Sequence, residues 1–112
     1  MTQEPNKHNT RFKLVNKRNY LLIARYYYWT EIIRARFDDV LKILSKKEFF
    51  VTERTITNAL NDYDEFMNEL LDNKTTSLEL KKMFPSWNWE NNPSLRKVYK
   101  ESILNEKSDI EG

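Results

Sequence analysis

Five polar residues at helical spacing carry the most legible chemistry of this chain: Thr52, Arg54, Thr57, Asn58 and Asn61. Arginine and asparagine each present two hydrogen-bonding groups at once, which matches the edges of guanine and adenine in the DNA major groove. Ile56, Ala59 and Leu60 fall together on the opposite face of the same helix, so the polar set points outward. Lys46, Lys47, Arg34 and Arg36 stand nearby in sequence and, with the hydroxyl of Thr52, supply the groups that hold phosphates. Catalysis has no comparable set. There is no Cys and one histidine, His8, which lies in a polar terminal stretch. No Gly-rich phosphate loop and no metal-ligand spacing occurs. Asp38 and Asp39 are adjacent, and adjacent helical acids diverge rather than meet at one ion, so they fit a helix start. The expectation is a binding protein, not an enzyme, with no cofactor, no metal and no small-molecule substrate.

The elements that must position these residues are two short helices and a tight turn within Lys46 to Leu60. Ser45 and Glu48 have the spacing of a capping box for the first helix. Thr52 caps the second, which begins with the acid Glu53. Val51 to Leu60 reads as an apolar turn residue, a hydroxyl cap, then T-I-x-x-A-L as the packed side. It resembles the turn and second helix of a helix-turn-helix, whose second helix enters the major groove. The resemblance implies that Arg54, Thr57, Asn58 and Asn61 read bases. Two positions depart from that pattern: Phe50 stands where glycine is common, and Lys46 stands where a small residue is common. An ordinary helical corner gives a similar string.

A chain of 112 residues is one domain with one core. One Gly and three Pro are too little punctuation for a sheet with tight hairpins, so the fold class is all-α, a compact multi-helix domain containing a helix-turn-helix-like unit at 39–61. No apolar run approaches the roughly 18 residues that span a bilayer, and Met1 to Lys13 has no hydrophobic stretch. The expectation is a cytoplasmic protein without membrane contact. The charge is uneven. Met1 to Arg36 is +6 and Phe37 to Gly112 is −4. Phosphate contacts need local rather than global positive charge, so the basic N-terminal third suits double-stranded DNA. A solvated basic tail is the plainer alternative.

Along the chain, residues 1–12 read as a disordered basic arm, with Lys7, Arg11 and Lys13 able to follow a minor groove. The single helical domain spans 13–107, with a loose tail at 108–112. A long helix starts near Lys13, with Leu22, Tyr26, Trp29, Ile33 and Phe37 as its apolar stripe, and breaks near Arg36, with Asp38 as a cap for the next helix. Tyr27 and Tyr28 fall off that stripe. They pack against C-terminal segments, form an interface, or stack on bases. Asp62 or Asp64 caps the helix after the α-helical corner, whose stripe is Tyr63, Phe66, Met67, Leu70 and Leu71 and whose other face is acidic. Thr76 and Glu79 form a second capping box for Ser77 to Phe84, which Pro85 ends. Trp87 and Trp89 lie on one side if extended, one of them plugging the core. Asn92 and Pro93 open a last helix, to Asn105. No internal repeat is visible.

The run RYYYWTEIIRARFDDVLKILSKKEFFVTERTI, with FPSWNW after it, resembles a family of small bacterial proteins from mobile elements that carry a transposase-like label through their helix-turn-helix. The similarity spans Arg18 to Trp89. It implies DNA binding, in a phage or mobile-element regulator or accessory factor, and not strand transfer, because a chain of this length has no room for an acid-triad nuclease domain. Such modules commonly act as homodimers. Two alternatives remain open. One is a helical protein–protein interaction module that binds through Tyr27, Tyr28, Trp87 and Trp89. The other is a binder of structured RNA through the same basic residues.

Overall fold

The computed structural model describes the backbone of residues 6–95 and the side chains of residues 16–95. The described chain is all-α, with no strand among these residues. Helix α1 runs Asn6–Tyr27 and continues through one π-helical turn, Tyr28–Ile32. Helix α2, Phe37–Ile43, continues in the same way through Leu44–Glu48. Then come α3 (Glu53–Asp62), α4 (Asp64–Asp72) and α5 (Ser77–Met83). The expected last helix from Ser94 and the tail lie outside the described residues, apart from its start. There the Asn92 side chain accepts the Ser94 N–H at 3.1 Å, as expected of a cap.

Helix α1 is the spine, and α3, α4 and the π turn that ends α2 all pack on it. That is why Tyr27, Tyr28 and Trp29 are all buried although they point about 100° apart. Each meets a different wall. The Tyr27 hydroxyl donates to the Thr75 carbonyl at 2.8 Å, between α4 and α5. The Tyr28 hydroxyl donates to the Glu90 carbonyl at 2.6 Å. Trp29 Nε1 donates to Glu48 at 3.0 Å, at the end of α2. Tyr26, expected on the core stripe, is only half-buried and meets Phe37 edge-on at 6.3 Å. Tyr20 of α1 meets Tyr63 and Phe66 of α4 edge-on at 5.1 and 5.0 Å.

The break near Arg36 is present, and it recurs. Both α1 and α2 end in a π turn closed by an i+5 bond, Ile33 N–H to the Tyr28 carbonyl and Phe49 N–H to the Leu44 carbonyl, each 2.9 Å. Next comes a residue in the left-handed region, Arg34 (φ 66°) or Phe50 (φ 56°). An i+6 bond comes after it, Ala35 to Trp29 and Val51 to Ser45. An extended N-cap, Arg36 or Thr52, then starts the next helix. The chain thus makes the same corner twice, although its sequence shows no repeat. Backbone bonding alone defines the match, and the two stretches share no side-chain pattern.

Several expected ends differ. Helix α1 begins at Asn6, so 6–12 is helical rather than an irregular arm. Ser45 is not a cap. It sits inside the π turn of α2 and its hydroxyl donates to the Val51 carbonyl at 2.5 Å. Asp38 and Asp39 lie in the first turn of α2 behind Arg36, and Asp64 lies in the first turn of α4 behind Tyr63, without a side-chain cap at either helix. The Thr52 cap is formed, with its hydroxyl accepting the Thr55 N–H at 3.1 Å. The Thr76–Glu79 capping box is complete. Helix α5 stops two residues before Pro85.

The left-handed residue after α4 is Lys74 (φ 49°), and here too a non-glycine takes a place that suits glycine. A left-handed L-residue costs roughly 1–2 kcal/mol, offset in part by the greater freedom of glycine when unfolded. Lys74→Gly is therefore expected to raise unfolding free energy by about 0.5–1 kcal/mol in urea titration, and Lys74→Val to lower it. Burial, then the charge of Glu31, raises the ionisation of Tyr26 and Tyr27 above the usual 10.0. Above that pH the unfolded chain loses protons that the fold retains, so stability should fall as pH rises past about 10. Thermal melts across pH 8 to 11 check this.

Candidate nucleic-acid interface

Helix α3 owes its orientation to Ile56 and Ala59, both buried against the core. This leaves Arg54, Asn58 and Asn61 exposed, at i, i+4 and i+7, in one row along the helix. Thr57 lies beside that row but is half-buried, and its hydroxyl donates to the Arg54 carbonyl at 3.0 Å. Thr52 is exposed at the helix start, and its hydroxyl is already engaged with Thr55. Lys46 is exposed and Lys47 half-buried, both in the π turn just ahead of the corner. Thr52, Arg54, Asn58, Asn61 and Lys46 therefore share one corner and one helix.

Arg34 and Arg36 are exposed as well, but they stand at the other end of α2. At 1.5 Å per residue the helix between them and the α3 corner spans about 18 Å. Arg36 is 3.7 Å from Asp38 in an exposed pair that contributes little. The nine expected contacts thus form two groups rather than one patch. The local charge is also mixed: residues 53–72 hold six acids against Arg54 alone. The side chains of Lys7, Arg11 and Lys13 lie outside the described residues.

The aromatic run is used inside the domain. Arg25, next to the aromatic run in sequence, is 3% exposed. Its Nε donates to Glu48 Oε1 at 2.9 Å and one terminal nitrogen to Oε2 at 2.6 Å, while the other donates to the Asn88 carbonyl. The rings of Tyr28, Trp29, Trp87 and Trp89 surround the guanidinium at 4.7, 5.6, 5.0 and 4.8 Å. An aromatic cage of this kind recognises cations, and here the protein's own arginine fills it. Glu48, expected to serve a capping box, instead serves Arg25 and Trp29. The sequence carries a signal for this contact. Arg25, Tyr28 and Trp29 stand at i, i+3 and i+4, one face of a helix.

This corrects the expected partner surface. Tyr27, Tyr28 and Trp89 are buried, with their polar tips bonded inside the domain; Trp89 Nε1 donates to the Phe84 carbonyl at 2.7 Å. Only Trp87 of the four keeps partial exposure, stacked on Phe49 at 5.5 Å. Exposed apolar surface lies elsewhere, most of all at Phe50, 77% exposed at the second corner. In the sequence Phe50 stands out only as a departure from a glycine pattern.

Among the described residues no group of three or more His, Cys, Asp or Glu comes together to hold a metal ion, and no helix is long and apolar enough to cross a membrane. No family model, no curated protein and no solved structure matches the chain.

Removing one member of a buried ion pair leaves an uncompensated charge, at a cost of about 3–5 kcal/mol. Arg25→Met and Glu48→Gln are each expected to lose stability on that scale. Equilibrium unfolding followed by tryptophan fluorescence should show it, since Trp29 bonds Glu48 directly. A loss under about 1 kcal/mol would mark the pair as dispensable.

Proposed function

We propose that this chain is a double-stranded-DNA-binding helical domain that places α3 in the major groove. One observation carries the reading. The row Arg54, Asn58, Asn61 is fully outward on a helix whose other side is fixed by buried Ile56 and Ala59. These three side chains have the donor and acceptor geometry for base edges, with Thr57 at the margin of the row. Lys46, Lys47 and Thr52, at the same corner, hold the adjacent phosphates. Arg34 and Arg36, one length of α2 away, reach a separate stretch of backbone. The acids of α4 repel phosphate, so the duplex lies towards the start of α3. A single helix reads few base pairs, and the domain therefore acts as a homodimer on a two-fold site. In this reading its role is that of a phage or mobile-element regulator or accessory factor.

The test is a fluorescence-anisotropy titration of the full chain on a duplex selected from a random pool and on a scrambled duplex, at several salt concentrations. Arg54→Ala is expected to weaken the selected site by about 1–3 kcal/mol and to relax its preference. Lys46→Ala should weaken both duplexes alike and reduce the salt slope by about 1. Unchanged sequence preference in Arg54→Ala would contradict the placement of α3.

A further inference from the structure

A second surface is independent of α3. Between the second half of α1, the end of α2 and the segment after α5 lies a groove of about 520 Å³. Leu21, Phe49, Phe84 and Trp87 form its apolar lining, each half-buried and without full cover. Met83, exposed at the end of α5, borders it. Its charged lining residues are Lys17 and Arg18. Among the described residues no acid lines it. Among the described residues neither cation has a carboxylate within ion-pair distance, and the Arg18 fork rests on the neutral Asn19 side chain at 2.9 and 3.1 Å.

We infer that this groove docks an acidic amphipathic segment of another protein. Its apolar anchors fill the lining, and its carboxylates pair with Lys17 and Arg18. Charge selects the occupant, since a single-sign cationic rim beside an apolar floor complements alternating aliphatic and acidic residues. Methionine adapts to varied anchors, and tryptophan is a frequent interface anchor. A nucleic-acid strand fits less well. The floor offers few groups for base edges, and the Trp87 ring is already stacked on Phe49, with the Arg25 guanidinium 5.0 Å from its centre.

The test selects from a random peptide display library against the full chain. The selected peptides are then titrated, fluorescein-labelled, on wild type, on Lys17→Glu/Arg18→Glu and on Met83→Asp, with circular dichroism confirming that each variant is folded. The expected peptides are rich in Asp and Glu around Leu or Phe. Their affinity falls with salt and falls at least about ten-fold on the charge-reversed variant, with a similar loss on Met83→Asp. Three results overturn the proposal: no enriched peptide, enriched peptides without acidic bias, or acidic peptides that bind all three proteins equally. An oligo(dT) strand that binds wild type and not the charge-reversed variant, where no acidic peptide does, would assign the groove to nucleic acid and likewise overturn it.

Discussion

Arg25 is 3% exposed, and a charge removed from water to that degree must be met in full by the protein. Glu48 supplies the counter-charge and two hydrogen bonds, the Asn88 carbonyl takes a third donor, and four rings close around the plane. These partners come from three places: α1 itself, the π turn that ends α2, and the segment after α5. Desolvating such a pair costs several kcal/mol per ion, so the contact selects one arrangement more than it adds net stability. Arrangements that move α2 or the 84–90 segment leave a buried charge uncovered. Tyr28, Trp29 and Trp89 are committed to this task and buried, so these three rings offer no face to a partner.

The π turns belong to the same constraint. A π turn adds a residue to the helical circuit and rotates the chain beyond it. Trp29 lies in the first of them and Glu48 closes the second, and the two side chains meet at 3.0 Å. Each turn then exits through a left-handed residue, Arg34 or Phe50, without glycine to ease it. The strain is retained because the exits set the starts of α2 and α3. The orientation of α3, and of its row Arg54, Asn58 and Asn61, depends on the corner at Phe50, which the Arg25–Glu48 contact anchors one residue upstream of Phe49.

Local rules were legible in the sequence. Glycine scarcity indicated helices, Thr52 and the Thr76–Glu79 pair marked real caps, and Pro85 marked the end of α5. Ile56 and Ala59 named the buried side of α3. Long-range uses of the same residues were not legible. Ser45 and Glu48 have capping-box spacing, but a helix continuing through them leaves no cap to make, and Arg25, 23 positions away, claims the carboxylate. Tyr27 and Tyr28 looked surplus to one stripe because a stripe assumes one wall, whereas α1 is covered on several sides. The two matching corners left no trace because carbonyl-to-amide bonds define them. The separation of Arg34 and Arg36 from the α3 corner depended on α2 being a full helix between them.

The molecule divides its resources accordingly. Aromatic and ionic groups lock the interior, while the polar row of α3 and the cationic apolar groove beside Trp87 stay outward, the two surfaces for which duplex DNA and a protein segment are proposed. The most direct measurement is an NMR titration of the isotopically labelled chain with a short random DNA duplex at low salt, following backbone amides and indole N–H signals together. The account predicts shifts at Arg54, Asn58, Asn61 and Lys46, with the Trp29 and Trp89 indole signals unmoved. Shifts that spare α3, or that centre on those indoles, would contradict it.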